Sequence, residues 1–395
     1  MSDPAQARPS AADTQRLLFV LGLGAMAASL ATRVLDPLVG VIAEDFAAST
    51  ATVALLATAF ALPYALVQPI LGPVGDAIGK RRVIRVASLV LAVALAGSAL
   101  APDLGSLAVL RVIGGAAAGG VFPLAIALLG DHVPLERRQL ALSRLLVAGL
   151  TGAVGGGAMA AVLEPFVGWR GVLWVCAAAA LGAFLVLRDR DEKPPGRGVR
   201  VGEALIRYRQ IWGNPAARAL FLAVFLEGAL LFGMFPFLAP ILEVRGHGGA
   251  AEAGMAIAAF ALGGFVFAGV APPLLRRVSQ GRVMQAGGLL AAVGVWAVAL
   301  GPGGVAFGAG VTVAACLLLG LGFYMLHSSI QTRVTEVAPA ARGSAVAMHA
   351  FSFFLGQALG PVVMGLGLAA VGTGVALGLA GLGVVILAWW LGRAR

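Results

Sequence analysis

The stretch GPVGDAIGKRRVIR, Gly72 to Arg85, sets four cations and one carboxylate within fourteen residues between two long apolar runs. Such a knot of charge marks a short polar turn where chain leaves and re-enters hydrocarbon, and the rest of the sequence bears on that reading. Of 395 residues 60% are hydrophobic and 12% charged, with a mean hydropathy of +0.95. A water-soluble fold of this length carries far more charge. Apolar runs of about 18 or more residues, each able to cross ~30 Å of hydrocarbon at about 1.5 Å per residue, recur along the whole chain. Twelve spans are expected: 17–42, 50–74, 83–101, 106–130, 140–163, 169–187, 219–242, 252–275, 283–301, 307–333, 344–369 and 372–392. The fold class is therefore all-α and membrane-embedded.

Charge placement orients the chain. The net charge is +10, yet 24 of the 28 Lys and Arg fall in segments on one side, and only Arg170 and Arg245 on the other. That asymmetry is the positive-inside pattern, and it puts both termini in the cytoplasm. The cations are scattered and carry no aromatic stacking run, which argues against nucleic acid. The first run is too long for a cleaved signal and continues into Asp36-Pro37. Cys176 and Cys316 lie inside apolar runs, so no disulfide framework is expected. Two Lys among 28 cations, with abundant Ala, Gly and Arg, fit a GC-rich bacterial genome and hence a bacterial cytoplasmic (inner) membrane.

Between the sixth and seventh spans the chain turns polar, from Arg188 to Arg218. Val201, Leu205, Ile206 and Ile211 recur there at roughly helical spacing, as an amphipathic surface helix requires. The expected division is 1–187, a six-helix bundle; 188–218, a basic cytoplasmic linker; and 219–395, a second bundle. The halves show a parallel repeat. GPVGDAIGKRRV, from Gly72, is followed 200 residues on by PPLLRRVSQGRV, and DHVPLERR, from Asp131, is followed 205 residues on by EVAPAARG.

At these residues the chain resembles the major facilitator superfamily. Gly72, Asp76, Gly79, Lys80 and Arg81 fit that family's G-x-x-x-D-x-x-G-[RK]-[RK] turn between helices 2 and 3. Arg111 and Gly115 resemble its R-x-x-x-G motif of proton-coupled members. GAVGGG, with Gly152, Gly156 and Gly157, is similar to the G-P-x-x-G-G antiporter motif, with Ala153 in the proline position; Gly356, Gly360 and Pro361 carry a related form in helix 11. The resemblance implies two bundles rocking about a midplane cavity lined by helices 1, 4, 7 and 10. It also implies a cytoplasmic gate in which Asp131 and Arg137 are partners of the Asp76, Lys80 and Arg81 turn, through pairs that break as the halves rock.

Once the end-of-span charges are assigned to the two membrane faces, four ionisable side chains other than histidine remain within the membrane: Arg33, Asp36, Arg111 and Glu227. Each costs at least ~2.5 to 3.5 kcal/mol to insert, so each is expected to be partnered or to face water. Asp36 and Arg111 sit at matching depths, roughly 8 to 9 Å below the outer surface, and Arg33 is one turn from Asp36 on one helix face. A cluster of the three follows if helices 1 and 4 are neighbours. It could couple a proton through Asp36, clamp an anion between two guanidinium forks, or act as a static triad. Glu227 has no cation beside it on its own helix, which suits a proton carrier or a counter-ion for a cationic substrate. Tyr324, His327, Ser328 and Gln331 make a polar stripe on helix 10, with His327 at Glu227's depth, so His327 is expected either to pair with Glu227 or to hydrogen-bond within the bundle; Tyr64 and Gln68 pair on helix 2. His349 and Gln357 are assigned to packing or hydrogen bonding between helices.

A P-loop, a dinucleotide turn, metal-ligand spacing and a nucleophile context are all missing, so neither enzyme chemistry nor a cofactor or metal is expected. The function expected is proton-coupled efflux of a small lipophilic or drug-like compound by a monomer whose partners are substrate, protons and lipid, with Asp36, Glu227 and Arg111 in coupling. One alternative is a symporter or exchanger of an anion bound by Arg33 and Arg111; a second is a non-transporting membrane receptor.

Overall fold

The computed structural model describes residues 11–133, 135–187, 201–301, 305–338 and 341–393, and every regular element among them is a helix. That is the outcome hydrocarbon imposes, because a helix satisfies its backbone polar groups within its own segment. The first half comprises α1 (Ala11–Arg33), a 3-10 turn (Asp36–Leu38), α2 (Val39–Asp45), α3 (Thr50–Ile78), α4 (Lys80–Ala99), α5 (Leu104–Gly119), α6 (Val121–His132) and α7 (Leu135–Val186). The surface helix α8 (Val201–Gly213) precedes the second half, which comprises α9 (Pro215–Phe232), a 3-10 turn (Phe235–Phe237), α10 (Leu238–Val244), α11 (Ala250–Arg277), α12 (Gln280–Leu300), α13 (Val305–Val337) and α14 (Arg342–Arg393). Among the described residues, ten stretches are long and apolar enough to cross a membrane. Two of them, within α7 and α14, are interrupted where Gly168 and Gly372 take φ of 66° and 78° with extended ψ, turns that a side chain resists.

Three expected spans are not continuous helices. The 17–42 run stops at Arg33, the 219–242 run at Phe232 and the 106–130 run at Gly119. Each stop falls four residues before a proline, Pro37, Pro236 and Pro123, whose missing N–H would have bonded the carbonyl of that last residue. Arg33 and Asp36 are thus not one turn of one helix: the first ends α1 and the second opens a 3-10 turn. The charged turn between Gly72 and Arg85 is tighter than a loop. Gly79 alone separates α3 from α4, and its φ of 96° explains why glycine stands there.

Packing follows the sequence repeat. α1 lies along α7 and α3 along α5 in the first half; α9 lies along α14 and α11 along α13 in the second. Two cores result. One runs from Val20 to Leu187, and the other from Ile211 to Leu391 with Ala54 added from the first half. Between halves, α3 meets α14 and α7 meets α11. Ile211 of α8 is buried, while Leu205 and Ile206 remain exposed. The expected linker residues 188–200 lie outside the described residues. Hereafter the linker side is the end holding Gly79 and α8, and the far side is the end holding α2 and α10.

Candidate functional site

The break after α1 turns Arg33 and Asp36 inward. Asp36 is buried, and Arg33 Nη1 donates to its Oδ2 at 3.1 Å. The other arm, Nη2, donates to Gln357 Oε1 on α14, so Arg33 ties the first half to the second. Its guanidinium also lies over two rings of the second half, 4.4 Å from the centre of Phe232 and 5.5 Å from that of Phe235. A desolvated cation on such faces gains on the order of 2 kcal/mol, which offsets part of its burial. Arg111 on α5 is buried within electrostatic reach of Asp36, donates to the Ala31 carbonyl at 3.0 Å and stacks 4.0 Å over Phe60. Its Nε has no hydrogen-bond partner among the described residues.

A second polar cluster occupies the other half. Glu227 on α9 is fully buried, and its Oε2 lies 2.7 Å from His327 Nδ1 on α13. His349 on α14 stands beside His327, with ring centres 5.0 Å apart. Phe323 and Phe353 wall the His327 ring at 4.9 and 4.6 Å. Glu227 Oε1 and His349 Nε2 are buried without hydrogen-bond partners among the described residues.

The remaining site residues scatter more widely. Tyr64 is buried against Phe354 of the second half, ring centres 4.0 Å apart, next to Thr58, whose hydroxyl donates to the Ala358 carbonyl at 2.6 Å. Gln68 is buried but donates to the Gly119 carbonyl at 3.3 Å, inside its own bundle. Tyr324 packs on Gly264 and Phe323, and Gln331 is exposed near the linker end of α13. His349 and Gln357, expected to serve packing or hydrogen bonding between helices, stand at the two clusters, and Gln357 accepts a hydrogen bond from Arg33 on another helix. Their signal is the spacing His349, Phe353, Gln357, one face of a helix at i, i+4, i+8.

Glycines set how closely these helices approach. A Cβ on Gly152 would press into the Met26 carbonyl oxygen, and one on Gly156 would lie 2.6 Å from that of Leu30, both on α1. On Gly356 it would press into the Phe225 oxygen, and on Gly360 it would lie 2.6 Å from that of Ala229, both on α9. Gly157 instead faces Ile257 of the other half, and Pro361 follows Gly360 inside α14.

At the linker side, Lys80 Nζ bridges Asp76 at 3.0 Å and Asp131 at 2.6 Å. Arg81 occupies the first turn of α4, Gly72 has open space around it, and the side chain of Arg137 lies outside the described residues. Asp131 is thus a partner of this turn, as expected, and Asp76, Lys80 and Asp131 all stand on helices of the first half. At this end the surface helix α8 also reaches the first half, through the Tyr208 hydroxyl, which donates to the Pro69 carbonyl at 2.8 Å. Burial pushes that phenol above its usual range, so it stays a neutral donor.

Paired bundles, glycine-clamped helices and buried charge between them describe a solute-handling membrane protein, and comparisons with known proteins agree. The Major Facilitator Superfamily profile matches residues 21–361, and the chain belongs to that family. It is 29% identical over 353 residues to a chloramphenicol resistance protein of Streptomyces lividans, covering 88% of this chain and 87% of that one. It is 26% identical over 335 residues to the MFS-type transporter YfhI of Bacillus subtilis (strain 168), covering 82% and 80%. The fold matches crystal structures of a D-xylose-proton symporter (TM-score 0.74, 17% identity, 95% and 97% covered) and of a mutant form of the nucleoside transporter NupG (TM-score 0.76, 17% identity, 95% and 98% covered). The chain is therefore a multi-pass membrane transporter of small molecules and not an enzyme.

Proposed function

We propose that this transporter exports a small lipophilic or drug-like compound in exchange for protons, by alternating access between two six-helix bundles. The observation carrying the proposal is that the buried ionisable groups gather into two partnered clusters, Arg33, Asp36 and Arg111 in one half, Glu227 and His327 in the other. Carboxylates held this way exchange a proton for a change of partner, and a change of partner between halves is a change of conformation. In this reading the ten apolar stretches make twelve crossings, because those containing Gly168 and Gly372 fold back, with 1–187 and 219–395 as the bundles. The positive-inside pattern supports cytoplasmic termini in a bacterial inner membrane, and the protein works as a monomer.

Contacts between halves support a state closed on the outer side. They include Arg33 to Gln357, Thr58 to Ala358, Gly157 to Ile257, and Gly40, where a Cβ would lie 2.8 Å from the Glu243 carboxylate oxygens. A hollow of about 400 Å³ between α1 and α7, lined by Leu18, Phe19, Met26 and Arg144 among others, lies toward the linker side.

The test is purified protein in liposomes with an imposed pH gradient and a solute panel that includes chloramphenicol and niacin, which two relatives' names carry. Uptake into inside-acid vesicles, lost in Asp36→Asn, is expected. Transport of every accepted solute that ignores the gradient, with no effect of Asp36→Asn, rejects antiport. The unpartnered Arg111 Nε favours one other reading, an anion bound by Arg33 and Arg111. Neutralising either arginine separates the two: lost binding supports the anion, whereas intact binding with lost proton dependence supports antiport.

A further inference from the structure

We propose that His349 is the third member of a proton path, Glu227 to His327 to His349, that leads from the buried carboxylate toward the linker side. The proposal rests on the proton-coupled reading of Glu227 above and adds to it a route and a residue. Geometry carries it. Glu227 lies twelve residues into α9 from Pro215, His327 ten residues before the end of α13 at Val337, and His349 seven residues into α14 from Arg342. At 1.5 Å per residue, the three stand about 18, 15 and 10 Å from the linker-side helix ends. They form a descending ladder contributed by three different helices.

Contacts along the ladder fit a relay. The carboxylate and the first imidazole are in hydrogen-bond contact at 2.7 Å, and the second ring is centred 5.0 Å from the first. Imidazole can take a proton on one nitrogen while releasing another from the opposite nitrogen. A proton leaving Glu227 arrives at His327 Nδ1 as the proton on His327 Nε2 departs toward His349; no charge is created beyond the one that moves. The two ends of the chain, Glu227 Oε1 and His349 Nε2, are buried atoms left without partners among the described residues, which is where a path would load and unload. Phe323 and Phe353 flank the His327 ring, so competing water is kept from the middle step. Other ionisable groups border the ladder. Tyr324 lies one turn from His327, Tyr64 packs on Phe354 of α14, and Arg33 reaches Gln357, two turns beyond His349. Arg33 is engaged by Asp36.

The test uses the full-length protein in lipid nanodiscs, with infrared difference spectra of the protonated-carboxyl stretch recorded over a pH series. Glu227→Gln identifies the part of the band that belongs to Glu227. If His349 carries the proton, removing it slows exchange between Glu227 and the medium, so after a pH jump the Glu227 band changes more slowly by a factor of about ten or more. The slowing is expected in His349→Phe, which keeps bulk without a titratable nitrogen, and in His349→Gln, which keeps polarity and serves where the first variant fails to fold. A pH-jump rate unmoved in a folded His349 variant overturns the path while leaving Glu227 coupling intact. A wild-type protein whose Glu227 band does not titrate removes the coupling reading and the path together.

Discussion

Position 33 holds an arginine and position 232, its counterpart 199 residues on, a phenylalanine; position 36 holds an aspartate and position 235 again a phenylalanine. The charged pair of the first half thus lies against the aromatic pair that replaces it in the second, with Arg33 stacked on Phe232 and Phe235. Backbone contacts, by contrast, repeat without change. Gly152 and Gly156 meet Met26 and Leu30, while Gly356 and Gly360, 204 residues later, meet Phe225 and Ala229, each 199 residues after its equivalent. Gly115 meets the Phe60 carbonyl as Gly320 meets that of Phe260. Close helix approach is a demand of the fold, met twice because the fold is built twice. Buried charge is costly wherever it stands, so it is found where it has a task, and each half has its own.

Four measurements break or sharpen that comparison. The largest effect is expected from Asp36→Ala, which strands Arg33 and Arg111 in the interior. Loss of a buried partner costs about 3–5 kcal/mol, so thermal unfolding in detergent should drop sharply and recover in part when Arg33→Ala is added. Unfolding unchanged from wild type means that the three side chains are not an interdependent cluster.

Next come Gly156→Leu and Gly360→Leu, each forcing a side chain onto a carbonyl oxygen 2.6 Å from its Cβ. Overpacking of this kind costs about 1–3 kcal/mol, and the two variants should lose similar stability; a large inequality contradicts structural equivalence of the halves. Glu227→Gln keeps the shape and exchanges one hydrogen bond, a matter of about 1 kcal/mol. It should unfold near the wild type and yet lose the pH dependence of transport. Retention of that dependence moves coupling entirely to the Asp36 cluster. Lys80→Ala, which removes a bridge between two exposed carboxylates, should change stability by only ~0–1 kcal/mol.

Legibility in the sequence followed physical range. The number of apolar runs, the paired turns 200 residues apart and the polar linker are local or periodic signals, and α3, α4, α11 and α12 keep close to the runs that announced them. Breaks were harder to see. Pro37, Pro123 and Pro236 end helices four residues upstream, but α3 runs unbroken through Pro63, Pro69 and Pro73, so proline alone does not mark a break. Of the site, Arg33, Asp36, Arg111 and Glu227 stood out because ionisable groups in hydrocarbon are conspicuous. His349 and Gln357 did not, being polar residues on a small-residue helix whose partners sit 22 and 324 positions away.

By itself the sequence determined the membrane class, the duplication and which side chains carry charge into hydrocarbon, since hydropathy, spacing and ionisation are properties of the chain. Matching depth along the chain already suggested that His327 meets Glu227, which the structure joins at 2.7 Å; only the tertiary structure decided that Arg33 reaches across to Gln357 and that Lys80 pairs within its own bundle. Those choices depend on which faces of separate helices are turned together. That is fixed by glycine-tight packing over distances along the chain at which no residue constrains another directly.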